Sequence, residues 1–121
     1  MRDEKQYLYD IVDATETIIS HVADISFDRF LDNKMLQQSV LFSFTIIGEA
    51  ANKISIETKE AYPEIDWSSV IGFRNTIVHA YFSLNLETVW TAATKHVLPL
   101  GGHVRSIIRH QFGDDEDNSS N

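Results

Sequence analysis

The sequence predicts an all-α protein, a bundle of four to five helices. Two observations carry this. Apolar residues recur three and four apart through most of the chain, the period of a helix with one buried face. No run alternates apolar and polar residues as a strand would, and no composition shift marks a linker between domains.

Residues 3–22 read as the first helix, with Leu8, Ile11, Val12, Ile18, Ile19 and Val22 on one stripe. Residues 24–33 read as a turn with a short apolar insert of Phe27, Phe30 and Leu31, after which Asp32 or Asn33 is placed to cap the next helix. That helix is predicted over residues 34–55. The broad apolar face made by Met35, Leu36, Val40, Leu41, Phe44, Ile47, Ala51 and Ile54 suits a central position. Gly48 inside it weakens the helix, so a close approach by a neighbouring helix is expected there.

Residues 56–61 read as a short helix that stops before Tyr62-Pro63, because the residue before proline avoids the α region. Asp66 is a good cap for a helix that begins at Trp67 and carries residues 74–81. Residues 83–85 form a break, and Asn85 caps a helix bearing Leu86, Val89, Trp90, Ala93 and Val97. Pro99 and Gly101-Gly102 are expected to kink or end it, with residues 104–112 completing the bundle. Residues 1–112 are thus expected as one helical domain and residues 113–121 as a disordered acidic tail with nothing to bury.

At 121 residues the chain is long enough for one domain to bury a core without staples. Absence of cysteine excludes a disulfide framework, thiolate zinc sites and cysteine nucleophiles. The charged opening MRDEKQYLYD has no apolar core of a signal peptide, and no apolar run is long enough for a membrane span, so a cytoplasmic protein is expected. The formal net charge is -8. Such a chain does not attract nucleic acid by its global field, so any nucleic-acid site needs local positive charge.

Residues 74–81, Arg-Asn-Thr-Ile-Val-His-Ala-Tyr, stand out. They put four functional side chains into an apolar helical pattern flanked by Val70, Ile71 and Phe73, where unpartnered polar groups would be costly if buried. Arginine binds phosphate by paired hydrogen bonds, and imidazole moves protons near neutral pH. On one helix Asn75 and His79 share a face, so Asn75 is expected to orient the imidazole. Arg74 and Tyr81 would also share a face, two turns apart. Arg74 and His79 fall about 140° apart around the axis, too far for a tight site within one helix. A two-fold dimer pairing these helices would bring Arg74 of one chain to His79 of the other and make a local basic slot. Such a slot suits RNA cleavage without metal. His79 is the acid/base, Arg74 the phosphate clamp, Asn75 the orienter, and the substrate's own 2′-OH the nucleophile.

The motif and its surroundings resemble the HEPN superfamily, and within it the HepT-like ribonuclease toxins of type VII toxin–antitoxin modules. Arg74 and His79, four residues between them, fit the Arg-x4-6-His signature, with Asn75 as the polar residue after arginine. Leu36-Gln37-Gln38-Ser39-Val40, Ile46-Ile47-Gly48-Glu49-Ala50-Ala51, Tyr62-Pro63-Glu64-Ile65-Asp66-Trp67, Ile71-Gly72-Phe73-Arg74-Asn75, His79-Ala80-Tyr81-Phe82, Val89-Trp90 and Leu98-Pro99-Leu100 follow the HepT-like blocks in order, over roughly residues 3–109. The resemblance implies a bundle that dimerises through its motif helices. It also implies a metal-independent endoribonuclease with no cofactor, and a partner antitoxin, an MntA-like nucleotidyltransferase. That partner transfers AMP to the motif tyrosine, here Tyr81. Ala80 departs from the family, which often has an acid between the histidine and the tyrosine.

Blander readings stand beside this one. Arg74 could simply pair with a buried Glu49 on the long helix, and Glu49 could also aim Arg74 or His79 as a supporting residue. His21, His96, His103 and His110 form no metal pattern and read as surface, while Trp67 and Trp90 read as core anchors. Two rival functions remain at this level: a non-catalytic helical module that binds a nucleotidyltransferase partner, and a nucleotide-binding regulator in which Arg74 holds a mononucleotide phosphate.

Overall fold

The protein was analysed as a computed structural model, which describes residues 2–113. It is all-α among those residues. The long elements are α1 (Glu4–Val22), α3 (Lys34–Asn52), α5 (Trp67–His79) and an arm made of α6 (Leu86–Thr91), a wide π turn (Ala92–His96) and α7 (Val97–Phe112). Two short helices, α2 (Phe27–Leu31) and α4 (Ile56–Ala61), connect them. The acidic tail expected over residues 113–121 lies, beyond Gly113, outside the described residues.

Side-chain caps start the helices where the sequence places them. Asp3 accepts from Gln6 N–H, Asn33 from Leu36, Asp66 from Ser69, and Asn85 from Glu87 and Thr88. Each satisfies a donor that a helix start leaves open. α1 is the centre of the bundle and packs on both α3 and α7, while α5 packs chiefly on α3. Leu8, Ile11 and Ile18 from α1, Val40 and Ile47 from α3, Val89 from α6, and Val97, Val104 and Ile107 from α7 are fully buried. Phe30 of α2 closes one end, with Trp90 at 5.2 Å and Phe27 beside it. At the other end Glu4 ties α1 to α4: its carboxylate accepts from Ser55 N–H at 2.6 Å and from the Thr58 hydroxyl at 2.7 Å.

Four expectations need correction. The insert at Phe27–Leu31 is a helix, capped by Ser26 accepting from Arg29 N–H. α3 ends at Asn52, not near Ser55, and the chain turns so that Ile54 is still buried. α5 ends at His79, so Tyr81 is not on it. Pro99 neither ends nor breaks the arm, because the π turn stands immediately before it. A proline clashes with the carbonyl four residues back, here Lys95, and a widened turn at that carbonyl relieves the clash. Gly101 is buried against Thr15, where a Cβ would lie 2.7 Å from the hydroxyl, so glycine lets α7 approach α1 closely. No helix among the described residues is long and apolar enough to cross a membrane.

Candidate active site

α5 is set by its two ends. At the start, Asp66 accepts from the Ser69 hydroxyl at 2.7 Å and from Ser69 N–H at 3.1 Å, and these bonds hold its carboxyl below the usual aspartate range. Trp67 is buried and donates its indole N–H to the Tyr62 carbonyl at 3.2 Å. Beyond Trp67 only Ile77 is buried. The helix is therefore an edge element with one face on α3, not the core helix its apolar sequence suggests. The desolvation cost expected for its polar side chains does not arise, because Asn75 and His79 sit in solvent.

Arg74 is the best-held of the motif residues. Phe73 packs edge-on against Phe44 of α3, centroids 4.9 Å apart, and Gly48 of α3 gives Arg74 room for its stem. The guanidinium Nη2 lies 3.0 Å from Glu49 Oε2, and Nη1 donates to Asn75 Oδ1 at 3.1 Å. Its Nε is buried and makes no hydrogen bond. The Arg74–Glu49 pair expected from sequence is present, but not as a buried pair. The Glu49 side chain is 53 % exposed and that of Arg74 30 %, so water screens the attraction. What the pair fixes is direction: an arginine with two side-chain partners on one frame has fewer rotamers left to lose when it meets an anion.

His79 is the last residue of α5, exposed, with no hydrogen bond to another described residue. Asn75 stands one turn before it on the same face, yet its carbonyl faces Arg74, so the expected contact between Asn75 and the imidazole is not made. No hydrogen bond or ion pair joins Arg74 to His79 within the chain. Tyr81 opens a 3₁₀ turn (Tyr81–Ser83), so the shared helical face expected for Arg74 and Tyr81 does not exist. It follows His79 by one peptide and is 39 % exposed. Its ring meets Phe82 edge-on, centroids 5.3 Å apart. Phe82 has no separate role in the sequence reading. Its ring is wholly in solvent, and the signal for it is an aromatic in a turn followed by Ser83, with no helical position to bury it.

A groove of about 710 Å³ runs between the first half of α5 and the arm, with Phe44, Phe73 and Leu100 on its walls. None of Arg74, Asn75, His79 or Tyr81 lines it, so it is separate from the motif. His103, on its rim, is exposed, as are His21, His96 and His110, in keeping with surface histidines. No group of three or more histidines and acids able to hold a metal ion occurs among the described residues.

A family model described as "Ribonuclease HepT-like" matches residues 11–107, which contain Glu49, Arg74, His79 and Tyr81. The chain belongs to the HepT-like ribonuclease family. A protein of Thermococcus cleftensis named "Probable ribonuclease HepT" is 35 % identical over 106 residues, 88 % of this chain and 96 % of that one. Two proteins of Methanocaldococcus jannaschii, each named "Putative RNase", are 33 % identical over 96 residues and 32 % identical over 115. The first alignment covers 79 % of this chain and 88 % of the relative, the second 95 % of each. No solved structure matches the chain. The HepT-like match spans the edge helix, the frame that holds Arg74 and the turn with Tyr81, so family and site fall on the same part of the molecule.

Proposed function

We propose that this HepT-like protein is the toxin of a cytoplasmic toxin–antitoxin pair, an endoribonuclease that cuts RNA without metal at a site shared by two subunits. One observation carries the reading: a phosphate-binding arginine is pre-aimed by Glu49 and Asn75, while a free histidine ends the same exposed helix. The two side chains are not in contact within one chain. A two-fold pairing of α5 helices lets Arg74 of one subunit and His79 of its partner meet on one phosphate. The unpartnered Nε of Arg74 is a donor for that anion.

In this mechanism imidazole takes the proton from a ribose 2′-OH. The oxygen attacks the adjacent phosphorus as its bond to the 5′-oxygen breaks, and imidazolium returns a proton to the departing oxygen. Arg74 stabilises the charge that develops on the phosphoryl oxygens. The products are a 2′,3′-cyclic phosphate and a 5′-OH. Asn75 acts by holding Arg74, and Glu49 is the supporting residue behind it. Control falls to an MntA-like nucleotidyltransferase antitoxin that moves AMP from ATP to the Tyr81 hydroxyl and releases pyrophosphate. The exposure of Tyr81 beside His79 supports this, since an added nucleotide places bulk and negative charge at the slot.

The test is cleavage of total cellular RNA by the purified protein and by His79→Ala, with EDTA present and product ends identified. Cleavage by the parent alone, leaving cyclic phosphate ends, is the expected result. Equal behaviour of the two proteins would instead favour a non-catalytic module that binds the nucleotidyltransferase.

A further inference from the structure

Phe82 is 101 % exposed, the most exposed of the large apolar side chains in the described residues. Tyr81 packs edge-on against it, and Val78 on the last turn of α5 is also half-exposed. The pair stands two and three residues beyond His79, on a 3₁₀ turn whose geometry is set by Ser83 N–H and the Ser83 hydroxyl both donating to the Ala80 carbonyl, at 3.0 and 3.2 Å. An aromatic ring held in water by an ordered turn has nothing within its own subunit to cover it, and π faces are what single-stranded nucleic acids use as stacking platforms. We propose that Phe82, braced by Tyr81, stacks on a nucleobase next to the cleaved phosphate. This rests on the ribonuclease reading above and names what the site grips: a single-stranded segment, held by a base face.

Charge is the reason that such a contact is needed. The chain carries a net -8, and the one guanidinium of the motif already shares its charge with Glu49. Phosphate attraction alone therefore supplies little affinity, and what there is falls with salt. Stacking is independent of net charge and tolerant of sequence, because every base has a π face. A two-fold pairing of α5 helices places one such platform on either side of the slot. A strand crossing the slot meets a ring before and after the scissile phosphate, and splaying those bases helps bring the 2′-oxygen into line with phosphorus. Duplex RNA keeps its bases stacked inside and offers the rings nothing.

The experiment measures binding of a single-stranded 2′-O-methyl RNA, which lacks the nucleophile and stays intact, to the full protein and to Phe82→Ala, Phe82→Leu and Phe82→Trp. Sedimentation of each protein is recorded alongside. Stacking predicts that Ala and Leu each weaken binding about tenfold, that Trp keeps it, and that all four proteins keep the same oligomeric state. Leucine is the informative variant, because it preserves an apolar contact with protein and loses the π face. If Leu binds as tightly as the parent, or if Ala changes the oligomeric state, the ring belongs to a protein interface and the proposal is overturned. If the parent binds and cleaves RNA and no variant differs from it, the stacking falls while the ribonuclease reading stands. If the parent neither binds this strand nor cleaves natural RNA, the ribonuclease reading falls and takes the stacking with it.

Discussion

Gly48 on α3 lies against Arg74 on α5: a Cβ built on the glycine would stand 2.1 Å from the arginine Cβ and 3.4 Å from its Cα. Those atoms are stem and backbone, so no flexible tip can move aside. Glu49, the next residue along α3, is the one that meets the guanidinium. The missing side chain thus lets two helices come close enough for the adjacent carboxylate to aim the arginine.

Gly48→Ala should therefore destabilise the protein. Helix propensity favours alanine by about 1 kcal/mol. Overpacking at a close helix contact costs about 1–3 kcal/mol, and here the contact is with backbone. A lower midpoint in urea, with RNA cleavage falling by more than the loss of folded protein explains, is the expected outcome. A stabilised, fully active variant would show that α5 shifts freely and that the frame does not set Arg74.

Glu49→Ala should separate direction from stability. Its half-exposed pair with Arg74 contributes up to about 1 kcal/mol, so Tm should move by no more than about 4 °C. Releasing the guanidinium should lower kcat about 10- to 100-fold, through loss of alignment. Thermal unfolding and single-turnover cleavage, run on the same preparation, make the comparison. Unchanged kcat would mean that substrate alone orders Arg74.

Subunit mixing checks the shared site. Arg74→Ala and His79→Ala proteins should each be inactive alone. Unfolded together and refolded, half of the dimers are mixed, and each mixed dimer has one intact Arg74/His79 pair, so about a quarter of parental activity should return. No recovery would place both residues of a working site in one chain.

Stability at low pH should depend on Glu4. Burial raises its pKa, but the hydrogen bonds from Ser55 and Thr58 and the nearby Lys59 outweigh this, leaving it below the ordinary value of 4.5. A carboxyl with a depressed pKa in the folded state contributes stability that is complete above its unfolded pKa and is lost as pH falls through the folded one. Glu4→Gln should thus be less stable than the parent at pH 7, and the gap should close as pH falls below 4.5. Urea midpoints from pH 7 to pH 3 test this, and a gap that persists at pH 3 would mean that the charge of Glu4 is not what ties α1 to α4.

Much of the fold is legible in the sequence because it rests on local rules. Asn33, Asp66 and Asn85 cap the helices they are expected to cap, and Gly48 marks a close helix contact. The misses are tertiary. Nothing in Thr76-Ile77-Val78-His79-Ala80 signals a stop, since neither glycine nor proline is present, yet Ala80 leaves the helix with φ -134°. With that stop the helical-face argument for Tyr81 disappears and Phe82 comes into solvent. Asn75 was matched to His79 by spacing alone, whereas the structure gives its carbonyl to the stronger donor beside it, the guanidinium. The apolar residues of α5 suggest a core helix, but a helix at the edge of a bundle keeps apolar side chains half-covered, and periodicity does not tell how many neighbours it has.

The wide turn at Ala92–His96 bears on how this chain tolerates change in length. Val89, Ala93, Val97 and Gly101 are buried at a constant interval of four. On a regular helix that interval slips by about 40° per step, or about 120° from Val89 to Gly101. The π turn takes up this slip, so α6 stays seated beside Phe30 while α7 keeps Val104, Ile107 and Ile108 buried. Point substitutions on its outer side, at Thr94 or Lys95, leave that phase intact. Deleting a single residue there turns all of α7 by about 100° and exposes its apolar seam, so the segment counts residues more strictly than it reads them.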